Sequence, residues 1–440
     1  MPALRAGQEC PRSGERAGLR QGLFAATYFV RAVAENQPGE NKNRMGYTST
    51  FSAFAARLHG FINHCTKDWE GTAGRDARLT RRQDACAKSE AEFNALALEL
   101  FGLQYEHNAA YRRFCEARGV RPGIIEDWRG IPAIPAVAFK ELELSCLPAT
   151  QRTAVFHSSG TTGQRPSRHF HNAQSLAVYE ASLLSWFAAN VFGEQTITNP
   201  KRMIFLTPTG PSAPNSSLVH MFETVRRAFG SAESVFVGSL AEDGAWTLDL
   251  KATLDALREG VREGQPIMVF GTAFSFVHLL DHLTAQELHF ELPPGSLALE
   301  TGGYKSRSRS LPRTELHSVI GRRLGISLGQ IICEYGMSEL SSQAYASVPH
   351  GIRNTQYAAH IFHFPPWCRV QIISPETGRE AGEGETGLIR IFDLANVYSV
   401  MAIQTEDLGI RRGNGFELIG RAELAEPRGC SLMAVETVGK

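Results

Sequence analysis

No apolar run in the 440 residues is long enough to cross a bilayer. The most apolar stretch, 266–280, ends after 15 residues at Asp281 and already holds His278, against the roughly 20 residues that a spanning helix needs. An excess of charge is also missing, since 45 Lys+Arg balance 45 Asp+Glu. A dedicated nucleic-acid surface needs clustered cations, so no nucleic-acid partner is expected. The eight cysteines include no CxxC pair, which excludes a zinc ribbon and a thioredoxin-like motif and points to a reducing, cytoplasmic setting. Residues 1–20 are rich in Arg and Gly and hold no secretory h-region, so no export is expected and Asn215-Ser216-Ser217 is a chance match to a glycosylation acceptor. There is neither an internal repeat nor a low-complexity tract. What remains is ordinary globular composition, 43% hydrophobic and 20% charged, in a chain long enough for two or three domains of about 150 residues or one large core with an appendage.

Residues 1–47 show few regular apolar repeats beyond the short patch 23–33, which reads as a disordered leader. Met45 just precedes the first sustained patterning, so a start misassigned upstream is the alternative. Ser89 and Glu92 form a capping-box pattern, and Phe93, Leu96, Leu100 and Leu103 then recur at helical spacing until Gly119 and Pro122, predicting an amphipathic helix. Ile131-Pro-Ala-Ile-Pro-Ala-Val-Ala-Phe-Lys140 is braced in extended form by its prolines and should link the helical start to a sheet. From about 150 onward, short β-branched or aromatic runs at 153–156, 203–207, 234–237, 266–270 and 330–334 read as strands, with helices at 176–191 and 218–229. That alternation predicts an α/β fold with buried, mostly parallel strands. After Trp367 the runs 370–373, 387–392 and 416–419 follow one another across Gly-rich turns without helices, which suits a small antiparallel sheet or barrel.

Three segments carry chemistry. His157-Ser-Ser-Gly-Thr-Thr-Gly-Gln-Arg-Pro-Ser-Arg168 lies between a strand and a helix. Its glycines permit tight backbone, and its hydroxyls and freed N–H groups can form a donor array for phosphate; an ordinary Ser/Thr/Gly turn has the same composition. No Lys-Ser or Lys-Thr follows the second glycine, so the Walker A pattern is absent. Cys333-Glu-Tyr-Gly-Met-Ser-Glu339 ends another strand, where a glycine turn would present Tyr335, Ser338 and Glu339 beyond the carboxyl edge of the sheet. Those three suit a base, a phosphate and a magnesium ion, or are simply solvated polar residues. Thr405-Glu-Asp-Leu-Gly409 with Gly420-Arg421 supplies a carboxylate able to take two ribose hydroxyls and a guanidinium nearby.

In this order the segments resemble the adenylate-forming superfamily, whose members share a Ser/Thr/Gly loop, a YGxTE-like segment, a TGDLG-like segment and a terminal GR. Within it the chain is most similar to the LuxE-type acyl-protein synthetases. Further points of likeness are Ile131-Pro-Ala-Ile-Pro, Phe139-Lys140, a loop ending in Pro-Ser-Arg, Gly302-Gly303-Tyr304-Lys305-Ser306 and Gly429-Cys430-Ser431. The likeness spans roughly residues 48–437. It implies a large adenylate-forming domain over 48–420, with a helical start (48–150), an α/β core (151–366) of mostly parallel sheets and a small antiparallel β region (367–420). Residues 421–440 would be a hinge remnant and tail, the mobile C-terminal domain being absent or vestigial.

The resemblance implies that Ser158, Ser159, Gly160, Thr161, Thr162 and Gly163 close over the β- and γ-phosphates of ATP, while Gly302, Gly303, Tyr335 and Gly336 belong to the nucleotide site, the first three framing the adenine. Ser338 would touch the α-phosphate, Glu339 would hold Mg2+, Asp407 would take the ribose hydroxyls and Arg421 would assist. A fatty or aromatic carboxylate would attack the α-phosphorus, giving an acyl-adenylate and pyrophosphate. Ser338 replaces the usual threonine and keeps its hydroxyl; Glu406 replaces a glycine, which would alter the turn before Asp407. Only 19 residues follow Arg421, far fewer than a domain of about 100. A transfer to a nearby thiol is therefore expected in place of a two-step acyl-CoA ligase, and the resemblance to LuxE-type synthetases, which are acylated on a cysteine near the C terminus, implies Cys430 as that acceptor, with Arg428 placed to lower its pKa and an acyl-accepting protein or reductase as partner. The alternatives are a small buried hydrophobe at Cys430, a ligase acting on CoA or an amine, and a non-catalytic nucleotide-binding protein. His157, His169 and His171 have no metal-ligand spacing and read as substrate-pocket or solvated residues, 305–309 as a solvated basic turn, and 269–277 as core beside a pocket. The other cysteines, Cys333 included, read as core.

Overall fold

The structure is a computed structural model that describes residues 47–70, 75–158, 165–192, 201–242, 244–302, 311–347 and 360–422. Helix α1 (Tyr47–Glu70) buries Phe51, Phe54, Leu58, Phe61 and Ile62, a spacing that places all five on one face. Helix α2 (Arg75–His107) buries Phe93, Leu96, Leu100 and Leu103 as expected. It begins well before Ser89, so the capping-box pattern lies inside the helix: good helix formers upstream continue the turns, and a cap acts only where the backbone leaves helical geometry. The helix stops at Asn108, whose side chain accepts from Tyr111 N–H at 3.0 Å and caps α3 (Ala109–Glu116).

The proline-braced segment forms β1 (Ile134–Pro135), laid parallel on the strand Ala402–Arg412 with Ile134 opposite Ile403 and Pro135 opposite Gln404. An edge position tolerates proline, which has no N–H to give. Helix α4 (Ala138–Glu141) follows. The run expected at 153–156 is β2 (Ala154–His157), but it does not enter a parallel sheet. It pairs antiparallel with β3 (Arg168–His171), because so short a connection allows only a hairpin.

The central sheet comprises β4 (Arg202–Phe205), β5 (Val235–Phe236), β8 (Ile267–Thr272), β9 (Leu297–Thr301), β10 (Ile331–Tyr335) and β11 (Ala344–Ser347), with β6 (Gly238–Leu240) and β7 (Trp246–Leu248) forming a separate hairpin. Its order is β11-β10-β9-β8-β4-β5, parallel throughout except for β11. Helices α5 (Ala173–Phe187), α6 (Ser217–Phe229), α7 (Leu250–Glu263), α8 (Ala273–Ala285) and α9 (Arg313–Leu324) alternate with the strands. Asn172, Ser216, Asp249 and Thr272 cap α5 to α8 through their side chains, each stabilising by about 1 kcal/mol. Within 269–277 the core reading holds: Phe270, Phe274 and Phe276 are buried and Phe270 stacks on Phe205 at 5.0 Å.

The second sheet comprises β12 (Ile361–Phe362), β13 (Cys368–Ile373), β14 (Thr386–Asp393), β15 (Ala402–Arg412) and β16 (Gly415–Arg421), in the order β12-β16-β15-β14-β13 with antiparallel neighbours, and β1 joins it as a parallel sixth strand on β15. The two sheets meet where Tyr345 of β11 exchanges backbone hydrogen bonds of 3.2 and 3.1 Å with His363. Among the described residues no helix is long and apolar enough to cross a membrane.

Candidate active site

The hydroxyl-rich loop springs from the β2–β3 hairpin. Ser158 N–H donates to Ser167 Oγ at 3.3 Å, and Ser167 N–H donates to Ser158 Oγ at 2.9 Å. This reciprocal pair, buried on both sides, pinches the loop at its neck. Ser159, Gly160, Thr161, Thr162 and Gly163 lie outside the described residues, as do Gly303, the basic run 305–309, Arg428, Cys430 and everything before Tyr47.

The hairpin also grips the second segment. Ser338 Oγ donates to the carbonyl of His157 at 3.0 Å, and His169 Nδ1 lies 3.0 Å from the carbonyl of Ser338. A carbonyl only accepts, so Nδ1 carries the proton. Burial pushes His169 down to about 4, leaving the ring neutral. His169 and His171 are both buried, with ring centroids 4.2 Å apart, which corrects the solvated reading for these two. Alternation on β3 turns both inward. His157 is half-buried.

Tyr335, at the end of β10, donates its hydroxyl to Asp407 Oδ2 at 2.9 Å, and Asp407 Oδ1 faces Arg421 Nε at 3.4 Å. Asp407 and Arg421 stand opposite one another on β15 and β16. Burial, then the neighbouring carboxylate, raises the Tyr335 hydroxyl well above its ordinary range, so it remains a donor. Phe362, Phe364 and Phe416 surround the tyrosine ring at 5.4 to 6.1 Å between centroids. Glu406 lies inside β15, at a bulge: the β15 partners pass from Leu408 to Gln404 as β14 passes from Leu388 to Arg390, so Thr405, Glu406 and Asp407 crowd against one residue of β14.

Gly302 follows β9 with φ of +69°, a conformation that favours glycine, and a Cβ there would meet no atom within 4 Å. At Gly336 the requirement is steric, since a Cβ would sit 2.4 Å from Glu334 Oε1. Glu334 accepts from Thr301 Oγ1, and burial raises its carboxyl to about 7.

Glu339 is buried, and its carbonyl accepts from Asn396 Nδ2 at 2.9 Å. The loop beyond it hangs on Asp393, whose carboxylate accepts from Ser341 N–H, Ser342 N–H, Ser342 Oγ and Ala395 N–H at 2.7 to 2.9 Å. Gln104 of α2 holds the neighbouring turn by donating to Asn396 O at 2.8 Å and accepting from Met401 N–H at 3.0 Å. Asp393, Asn396 and Gln104 escape sequence reading, because their partners lie far along the chain; Ser167 and His169 fall in or beside the first motif, but their bonds to Ser158 and to the Ser338 carbonyl are not legible there. Only the Asx turn from Asp393 to Ala395 has a local signature.

The contacts of Ser338 with the hairpin and of Tyr335 with Asp407 and Arg421 thus meet through the one segment 335–339, which also carries Gly336 and Glu339, while Gly302 follows the neighbouring strand β9. Hydroxyls, an aromatic ring, carboxylates and a guanidinium meet at the carboxyl edge of a parallel sheet, where α/β folds bind ligands.

Residues 83–438 match the family model described as "Acyl-protein synthetase, LuxE". The chain is 25% identical over 340 residues to a long-chain-fatty-acid–luciferin-component ligase of Vibrio harveyi, covering 74% of this chain and 83% of the relative. It is 22% identical over 380 residues to the ligase of the same name from Aliivibrio fischeri, covering 82% and 93%. Among solved structures, an open conformation of 2-hydroxyisobutyryl-CoA ligase with 2-HIB-AMP and CoA superposes with a TM-score of 0.54 at 13% identity, covering 75% of each chain. The thioesterification state of that enzyme gives 0.55 at 14% identity, covering 75% of this chain and 68% of the other. These two show a shared fold.

Proposed function

The chain belongs to the LuxE acyl-protein synthetase family, and from that premise we propose that it activates a carboxylic acid with ATP and passes the acyl group to a thiol. The acid is fatty in the first instance, as the names of the Vibrio and Aliivibrio relatives suggest. The observation that carries this reading is the junction of the hairpin neck, Ser338 and the Tyr335–Asp407–Arg421 set, three segments remote in sequence.

In this reading the pair Ser158–Ser167 closes the base of the Ser/Thr/Gly segment, whose N–H and hydroxyl donors serve the β- and γ-phosphates. Tyr335 and the open ground beside Gly302 frame the adenine. Two of the roughly four lone-pair sites of the Asp407 carboxylate serve Tyr335 and Arg421, leaving acceptors for the ribose hydroxyls. Ser338 keeps its hydroxyl beside the loop neck, and a carboxylate oxygen of the acid attacks the α-phosphorus while pyrophosphate leaves. Alignment of two anions is the main obstacle, and fixed donors lower it without reorganising during the reaction. Glu339 offers the hard oxygen donor that Mg2+ prefers, and Mg2+ when bound neutralises phosphate charge. The acyl group then passes to a thiol, for which Cys430 is the candidate in this chain, and AMP leaves.

ATP–pyrophosphate exchange across fatty and aryl acids tests the first step. Exchange should require an acid and fall at least about 100-fold in Glu339→Gln. Exchange unchanged in that variant removes the metal role. Cys430→Ser should keep exchange and lose the protein-bound thioester; a thioester that persists moves the acceptor elsewhere.

A further inference from the structure

Cys333 is buried in β10, as a core cysteine would be, but its neighbours are polar. His317 Nε2, from α9, lies 3.8 Å from Cys333 Sγ, and the rings of His317 and His360 meet edge to face at 5.1 Å. One ligand atom from each of His317, Cys333 and His360 lies within 4.8 Å of the other two, and all three residues are buried. Glu300 stands opposite Cys333 across the β9–β10 ladder, with Oε1 3.6 Å from His317 Nε2 and 3.4 Å from Arg313 Nε.

Two features separate this cluster from a hydrogen-bonded core network. The 3.6 Å from His317 Nε2 to Glu300 Oε1 is outside the usual hydrogen-bond range of about 2.7–3.2 Å, and the 3.8 Å from His317 Nε2 to Cys333 Sγ is at most a weak sulfur hydrogen bond. They suit two ligands of a common tetrahedral ion held at about 2.0–2.3 Å from each. In addition, His360 Nε2 is buried with no hydrogen-bond partner among the described residues, and such an atom calls for an unseen partner such as a water or an ion.

We propose that His317, Cys333 and His360 form a zinc site, with the Glu300 carboxylate at its border. The donors are those zinc favours, and the Cys333 thiolate together with the Glu300 carboxylate, which also pairs with Arg313, offsets the divalent charge. A neutral imidazole ligates through its unprotonated nitrogen, and the thiol releases its proton to solvent as the metal binds. Cys333 is two residues before Tyr335 on β10, so their side chains point to the same face of the strand, and Glu300 stands two residues before Gly302 in the neighbouring segment. The ion would tie β9, β10 and α9 to the segment entering β12, directly behind the proposed adenine frame, as a structural staple. This inference stands independently of the acyl-transfer reading.

Metal analysis of the full purified chain tests it, together with cobalt(II) titration after chelator treatment. The expected result is about one zinc per chain and a thiolate-to-cobalt charge-transfer band. Both should vanish in Cys333→Ser and persist in Cys368→Ser, and chelation should lower Tm until zinc is restored. Absence of both zinc and the cobalt band in the unaltered chain overturns the proposal, as does a band that survives Cys333→Ser. Should Cys333→Ser fail to fold, stoichiometry and cobalt spectrum of the unaltered chain still decide.

Discussion

Glu334 shows how one side chain couples the site to stability. Its carboxyl is buried between Thr301 and the backbone of Gly336, and holds its proton to about 7. In the unfolded chain the same group releases its proton near the ordinary 4.5. Between these two values the native state binds the extra proton, so the contribution of Glu334 to stability falls as pH rises and levels off above about 7. Glu334→Gln keeps an acceptor for Thr301 and removes the charge. The variant should match the parent near pH 5 and be more stable at pH 8, by on the order of 1–3 kcal/mol. Denaturant unfolding at both pH values checks this, and equal stability at pH 8 would show that Glu334 is ionised in the fold at no cost. Sequence alone places Glu334 on a strand but cannot supply the burial that shifts it.

At the level of elements, what was legible depended on how cleanly each segment advertised its period. The central strands β4, β8 and β10 and helices α5 and α6 announce themselves through β-branched runs and apolar spacing. Strand β9 carries Glu300, β3 carries Arg168 and two histidines, and β15 mixes charged with apolar residues, so their pairing partners, not their composition, make them strands. For the same reason the 153–156 run reads as a strand of the parallel sheet, whereas its hairpin partner 168–171 carries no strand pattern of its own. The site's motifs were legible as local patterns; the Asp393 hub that suspends 339–342 was not, since its donors lie about fifty residues upstream. Burial pushes that carboxyl up from its ordinary range while its hydrogen bonds pull it down. Asp393→Asn would aim an amide N–H2 at N–H donors and should cost about 2–4 kcal/mol, lowering both unfolding free energy and acid-dependent exchange. The N-cap variant Asp249→Ala should cost about 1 kcal/mol and leave exchange intact. An Asp393→Asn variant as stable as the parent would contradict the hub.

For the whole molecule, the two sheets and the hairpin meet at one edge. The parallel sheet supplies Tyr335, Gly336 and Gly302, the antiparallel sheet supplies Asp407 and Arg421, and the hairpin grips Ser338. In the function proposed above, one nucleotide is held against one acid only if all three units are in place, which would account for motifs spread over more than two hundred residues. The central claim is that a carboxylate oxygen becomes bonded to the α-phosphorus. The most direct measurement uses a fatty acid labelled with heavy oxygen in its carboxyl group, incubated with ATP, Mg2+ and a thiol acceptor, with the nucleotide product analysed by mass spectrometry. The expected result is one labelled oxygen in AMP and none in pyrophosphate; label in inorganic phosphate, or AMP without label, would contradict the account.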